Sequence, residues 1–155
     1  MPSEIAVSRS TLIERPPADV FPHVNDLRAF QAWSPWAELD PDAMITFSGA
    51  ESGVGQSMTW SSENEQVGNG RQMITASEEN RRVATALDFG DMGMATSEIR
   101  LTPENEGQAT RVDWAFETDM GLNPIARWMG LMMDGWVGAD YERGLGNLKR
   151  QLEAG

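Results

Sequence analysis

Cysteine is absent from the 155 residues, which excludes a disulfide framework, a thiol nucleophile and a cysteine-based zinc site. Histidine is nearly absent. His23 is the only one, so a Ser–His–Asp triad could be built only through it, and a His-rich metal site is excluded. With no acidic or nucleophilic motif beside it, His23 reads as a surface or boundary residue. Positive charge is scarce as well: 12 Lys and Arg stand against 24 Asp and Glu, a formal charge of -12. Such a surface repels phosphate backbones and anionic membranes, and nucleic acid is not an expected partner.

Long apolar runs are missing too. No segment approaches the roughly 20 residues needed to span a bilayer, so no stable membrane insertion is expected. The opening Met1-Pro-Ser-Glu-Ile lacks the cationic stretch and apolar run of a secretory signal, and the expectation is a cytoplasmic protein. Phosphate-cradling loops are also lacking. Gly53-Val-Gly55 and Gly68-Asn-Gly70 lie between or inside strands with no helix following, and read instead as bulges or tight turns where a sheet curves. Nothing in the chain calls for a metal or a cofactor, and none is expected.

What is present is alternation. Ser3 to Glu14 is rich in Ile, Val, Ser and Thr and ends at Pro16-Pro17, as a first strand would. Pro17 opens a short helix with Val20 and Val24 on one face, kept short or bent by Pro22. Asp26 caps a second over 26–32, where Leu27 and Phe30 repeat at i, i+3. From Ala43 to Asp119 the period is two. Ile99 and Leu101 oppose Glu98, Arg100 and Thr102; Val112, Trp114 and Phe116 alternate with Arg111, Asp113 and Glu117; Val83, Thr85, Leu87 and Phe89 form a similar row. Turn residues at 48–55, 63–64, 79–80, 90–91 and 105–107 separate these runs into a meander of hairpins with one buried face.

The last third is helical. Asn123 suits a cap and Pro124 the first helical position. Ile125, Trp128, Met129, Met132 and Trp136 make one stripe; Val137, Tyr141, Leu145, Leu148 and Leu152 make another, well over 90° round from the first at about 100° per residue. Gly135 and Gly138 sit at the changeover, which predicts a break or bend between a segment near 124–134 and a main helix over 139–153.

A curved sheet with a helix held across its mouth leaves internal volume, typically about 300–1,000 Å³ in ligand-binding proteins. The residues expected to line it are Met58, Trp60, Met73, Leu87, Phe89, Ile99, Leu101, Trp114 and Phe116 from the strands, with Met129, Met132 and Trp136 from the helix. Stripes of this kind also build plain cores. Six Trp and ten Met bring deformable surface and polar N–H groups into an apolar wall, which suits a binding cavity. Among ionisable residues the candidates for catalysis are Arg9, Asp134 and Tyr141, with Asp140 and Arg127 nearby. Arg9 shares parity with Ile5, Val7, Thr11 and Ile13; it either points inward, where it could polarise a carbonyl or enolate, or reaches to the sheet edge, the favoured placement. Asp134 and Asp140 read more simply as helix-surface or capping residues.

Several phrases in fixed order resemble a known family: the strand leading into Ile13-Glu-Arg-Pro-Pro-Ala-Asp-Val20-Phe21, then Trp33-Ser-Pro-Trp36, Gly53-Val-Gly55 to Trp60, Thr110-Arg-Val-Asp-Trp114, and Gly138-Ala-Asp-Tyr-Glu-Arg-Gly144-Leu145 to Leu148-Lys149. From about Val7 to Glu153 the chain resembles the START-like (SRPBCC) superfamily, in its polyketide cyclase/dehydrase-like branch. The resemblance implies an α+β helix-grip fold: a curved antiparallel sheet of about seven strands around a long C-terminal helix, with two short helices after the first strand.

Members of that superfamily include lipid carriers, hormone receptors, aromatase/cyclases and activators of a chaperone ATPase, so fold does not select among them. The first expectation is one ligand-binding domain over 1–155, monomer or homodimer, that takes a hydrophobic small molecule into an internal cavity. The alternatives are a cofactor-free cyclase, dehydratase or hydrolase acting on an aromatic or polyketide-like substrate, and a protein-interaction domain resembling a chaperone-ATPase activator.

Overall fold

A computed structural model describes residues 4–35, 37, 40–63, 69–88, 94–119 and 124–154, the side chains of 4–6, 118–119 and 124–137 excepted. In chain order the elements are β1 (Glu4–Ile13), α1 (Pro17–Val24), α2 (Leu27–Phe30), β2 (Met44–Gly49), β3 (Gln56–Ser61), β4 (Asn69–Glu78), β5 (Arg82–Asp88), β6 (Met94–Glu104), β7 (Ala109–Asp119) and α3 (Pro124–Ala154). The strands form one seven-stranded antiparallel sheet in the order β1-β7-β6-β5-β4-β3-β2. Strands β2 to β7 are a meander, while β1 joins it at β7. Consecutive strands β1 and β2 therefore lie at opposite edges, and α1 and α2 belong to the connection between them.

Local chemistry explains these short helices. Pro17 occupies the first helical position of α1, where its missing N–H costs nothing. Asp26 caps α2, its Oδ1 accepting from Arg28 N at 2.9 Å. A second cap comes from across the fold: the wholly buried Gln56 of β3 accepts from Leu27 N at 2.6 Å and donates to Asp26 Oδ1 and the Glu51 carbonyl. One β3 side chain thus satisfies an otherwise orphaned donor at a helix N-terminus. Between β2 and β3, Gly49 holds a φ of 78° where a side chain would strike the Gly55 carbonyl, so the reversal needs glycine there.

The inward face follows the alternation expected from the sequence for β5, β6 and β7, with Val83, Leu87, Ile99, Leu101, Val112, Trp114 and Phe116 all buried. Strand β4 corrects the expectation. Its inward positions are Gly70, Gln72 and Ile74, and Met73 faces the other way, 37% exposed. The cross-strand register pairs Met58 with Gln72 and Trp60 with Gly70, and a bulge between Ile74 and Ala76 then shifts the phase of the strand. Gly70 is small because the Trp60 indole covers it: a Cβ there would stand 2.6 Å from a ring carbon. Close approach, not curvature of the strand, is its visible role.

Helix α3 runs unbroken from Pro124 to Ala154, so the two segments expected on either side of Gly135 and Gly138 belong to one continuous helix. Gly138 has a different reason. The Arg9 guanidinium from β1 lies against it, so that a Cβ at 138 would sit 2.6 Å from the guanidinium carbon. Past this point Tyr141, Leu145, Leu148 and Leu152 form the buried stripe and hold the helix to the sheet. Its end is tied to β1: Lys149 Nζ donates to the Leu12 carbonyl at 2.6 Å and to Glu153 at 2.8 Å, Arg15 Nε donates to the Leu152 carbonyl, and Glu14 N donates to Glu153. The Lys149 contact, with the Glu14 N–H, holds the Glu153 carboxyl below its usual range. Among the described residues no helix is long and apolar enough to cross a membrane.

Candidate functional site

The Trp33 ring anchors the space between sheet and helices. It is buried, donates from Nε1 to the His23 carbonyl at 3.0 Å, and meets Phe30 and Trp114 edge-on at centroid distances of 4.7 and 5.2 Å. The Trp33 carbonyl accepts from Asn147 on α3 at 3.3 Å. Pro35, two residues on, packs beside Gly144, where a Cβ would lie 3.0 Å from both Pro35 and the Trp114 ring. The phrase Trp33-Ser-Pro is thus a joint between the short helices and α3. His23 is half-buried at the edge of this joint, its Nδ1 facing Gln151 Nε2 at 3.3 Å.

Beside that joint lies a cavity of about 50 Å³, walled by Val24, Leu27, Phe30 and Trp33 of the short-helix region, by Gln72, Val83, Thr85, Leu87, Ser97, Ile99 and Trp114 of the sheet, and by Tyr141 of α3. One water occupies about 30 Å³ in the liquid, so this volume is far below the several hundred Å³ of an open ligand site. Aromatic side chains pack against one another beside it. Tyr141 lies flat on Trp114 with ring centroids 3.7 Å apart, and Phe116 meets Tyr141 edge-on.

A polar thread crosses this apolar wall. Gln72, Thr85 and Ser97 stand on successive strands β4, β5 and β6, with Thr85 and Ser97 directly paired. Ser97 Oγ accepts from Trp114 Nε1 at 2.9 Å and shares a hydrogen bond with Tyr141 Oη at 3.2 Å. Burial pushes the Tyr141 phenol far above the ordinary tyrosine range, and the Ser97 contact offsets only part of that shift. Tyr141 is therefore a neutral hydrogen-bonding group at physiological pH.

The residues expected at the site fall into groups. Leu87, Ile99, Trp114 and Tyr141 meet at the cavity. Met58, Leu101 and Phe116 are buried on the inward face, and Trp60 is partly buried against the same core, but none of these four walls the cavity. Met73 points to the other face. Phe89 and the side chains of Met129, Met132, Asp134 and Trp136 lie outside the described residues, as does Arg127. Arg9 reaches the edge: its Nε pairs with Glu142 at 3.1 Å, its Nη1 donates to the Ser8 carbonyl, and its side chain is 31% exposed. Ser97 and Gln72 were not singled out in the sequence. The signal that could have found Ser97 is a lone polar residue at the parity of Ile99 and Leu101.

A larger concavity of about 270 Å³ occupies the outer face of the sheet, lined by Thr75, Ala84, Thr96, Ala115 and the charged Arg82, Glu98 and Glu117. Arg82 bridges Glu98 at 2.7 Å and Glu78 at 2.8 Å, and Arg100 also pairs with Glu98. Partial burial would raise the Glu98 pKa, but the two arginines outweigh it and hold the carboxyl below its usual range.

Comparison with known proteins gives the fold a context. A family model described as polyketide cyclase/dehydrase and lipid transport matches residues 4–153. No curated protein matches the sequence. Among solved structures, CalU16 from Micromonospora echinospora is 18% identical, with a TM-score of 0.64 over 95% of this chain and 75% of that one. A Staphylococcus aureus protein of unknown function superposes with a TM-score of 0.73 at 9% identity, covering 99% of this chain and 96% of its own. The Aha1 dimer from Colwellia psychrerythraea gives 0.67 at 14% identity, over 96% of each chain. At such identities the likeness shows a shared fold.

Proposed function

Because the chain belongs to the polyketide cyclase/dehydrase and lipid-transport family, we propose that it binds a hydrophobic small molecule between the sheet and α3, as a carrier or receptor and not as a catalyst. The observation that supports this reading most is the cavity where Leu27, Leu87, Ile99 and Trp114 converge. Its present volume fits a closed form, so a ligand enters by displacing side chains that now fill the space.

Neither candidate catalytic residue with a described side chain is poised as a general base. Tyr141 is held protonated on Ser97, and Arg9 is engaged by Glu142 away from the cavity. Neither stands ready to remove a proton from a substrate. The compartment consistent with the reading is the cytoplasm, and the acidic surface would keep the carrier away from anionic membranes except during transfer.

Nuclear magnetic resonance tests the reading directly. On titration with decan-2-one, the indole N–H signals of Trp33 and Trp114 and the methyl signals of Leu27, Leu87 and Ile99 should shift together and saturate, while those of Leu12 and Val54 on the exterior stay in place. Shifts confined to exterior methyls, or none at all, would remove the proposal.

A further inference from the structure

We propose that the outer edge of β2 is a docking site for an extended segment of a partner protein, one with an uncharged strand-forming core and Lys or Arg at both ends. The two edges of the sheet, β1 and β2, are built differently. Along β1 the Ser8 and Leu12 carbonyls already accept from Arg9 Nη1 at 2.8 Å and from Lys149 Nζ at 2.6 Å. Along Met44–Gly49, among the described residues, no side chain bonds to the backbone and β3 is the only strand that pairs with it. The strand also lacks the devices that sheet edges commonly use to deter pairing. Its sequence, Met-Ile-Thr-Phe-Ser-Gly, has no charge and no proline, and its register with β3 runs from Met44 opposite Ser61 to Gly49 opposite Gln56 without a bulge.

Charge selects the occupant. Asp40 and Asp42 stand just before the strand and Glu51 just after it, with Asp42 and Glu51 exposed. A partner strand with cations at its two ends therefore meets a carboxylate at each, whichever way it runs. A second copy of β2 does not. Antiparallel pairing about a two-fold axis centred on the strand brings Asp42 of one copy beside Glu51 of the other, setting like charges together. The formal charge of -12 opposes self-association further. Side chains narrow the core of the partner as well. Ile45 and Phe47 are only partly buried against the core, and Arg28 lies over the Phe47 ring at 4.4 Å, so a cation opposite Phe47 is disfavoured. Alternate apolar side chains of an added strand cover the open flank of Ile45 and Phe47, while its main chain supplies the hydrogen bonds.

Fluorescence anisotropy with the labelled peptide Lys-Lys-Val-Thr-Val-Thr-Val-Thr-Lys-Lys tests the site on the intact protein. It should bind at least about 10-fold more tightly than the same peptide with Glu in place of Lys, and methylation of its alternate backbone nitrogens should abolish binding. Asp42→Asn combined with Glu51→Gln, both at exposed positions, should weaken the Lys peptide by about 2- to 10-fold and flatten its salt dependence. Hydrogen exchange should slow at amides within Met44–Gly49 when the peptide is bound and stay unchanged along β1. Equal binding of the Lys and methylated peptides, protection that falls elsewhere, or no binding at all would overturn the proposal. Dimerisation of the protein alone, with protection at Met44–Gly49, would give the edge to a second copy and overturn it likewise.

Discussion

The ring of Tyr141 lies on that of Trp114 with a centroid separation of 3.7 Å and an interplanar angle of 7°, while both residues bond to the same Ser97 hydroxyl. A helix residue and a strand residue are thereby joined twice, once through their faces and once through a shared polar atom. The pair sets the distance between α3 and the sheet, and so the volume left between them.

Removing the two joints separately should give two different losses. Tyr141→Phe keeps the stack and gives up one hydrogen bond, for a loss of about 0.5–1.5 kcal/mol. Tyr141→Ala gives up the stack as well and opens a void, for about 3–5 kcal/mol. Urea denaturation of the two variants beside the parent protein reads both.

Tyr141 also predicts an alkaline limit. Its folded pKa lies above the unfolded value of 10.0, so its neutral form contributes stability that is fully present below about pH 10. As the pH rises further, the unfolded chain ionises first, and stability falls until the folded pKa is passed. The chain has a single tyrosine, so phenolate absorbance reports this residue alone. It should appear only with unfolding, and Tyr141→Phe should abolish the corresponding part of the alkaline loss.

Two glycines of α3 should respond differently to alanine. At Gly138 the obstacle is the end of the flexible Arg9 side chain. Gly138→Ala should displace Arg9 from Glu142, a surface pair worth at most about 1 kcal/mol, and gain about 1 kcal/mol in helix propensity, for little net change. At Gly144 the obstacles are Pro35 and the Trp114 ring, both rigid. Gly144→Ala should destabilise by about 1–3 kcal/mol through overpacking. Thermal melts of the two variants distinguish the cases.

Much of this architecture was legible in the residues, and the exceptions have definite causes. Pro17 and Asp26 mark their helices by local chemistry, and the strands from β5 to β7 declare their inward faces because apolar and polar residues alternate cleanly there. Strand β4 conceals its face: Gly70 and Gln72 occupy inward positions without an apolar signal, so Met73 looked like the natural inward residue. Gly138 reads as a helix breaker until the Arg9 guanidinium, 129 residues away in sequence, is seen to need the space. The polar thread was hidden for a related reason. A serine or glutamine within a strand looks like solvent-facing filler until the register brings it beside Trp114 or Met58.

Gln56 offers a further check on the short helices. Its side chain satisfies Leu27 N and Asp26 from β3 while wholly buried. Gln56→Ala should leave the Leu27 N–H without its acceptor and cost about 1–3 kcal/mol. Because α2 supplies Leu27 and Phe30 to the cavity wall, the same variant should also weaken decan-2-one binding, which calorimetry would show.

The most direct test of the account is native mass spectrometry of the untagged protein purified from its own host, followed by denaturation and identification of whatever is released. The account predicts a stoichiometric adduct that proves to be a hydrophobic small molecule. A protein that emerges at its bare mass, and that stays bare after incubation with excess decan-2-one, would contradict it.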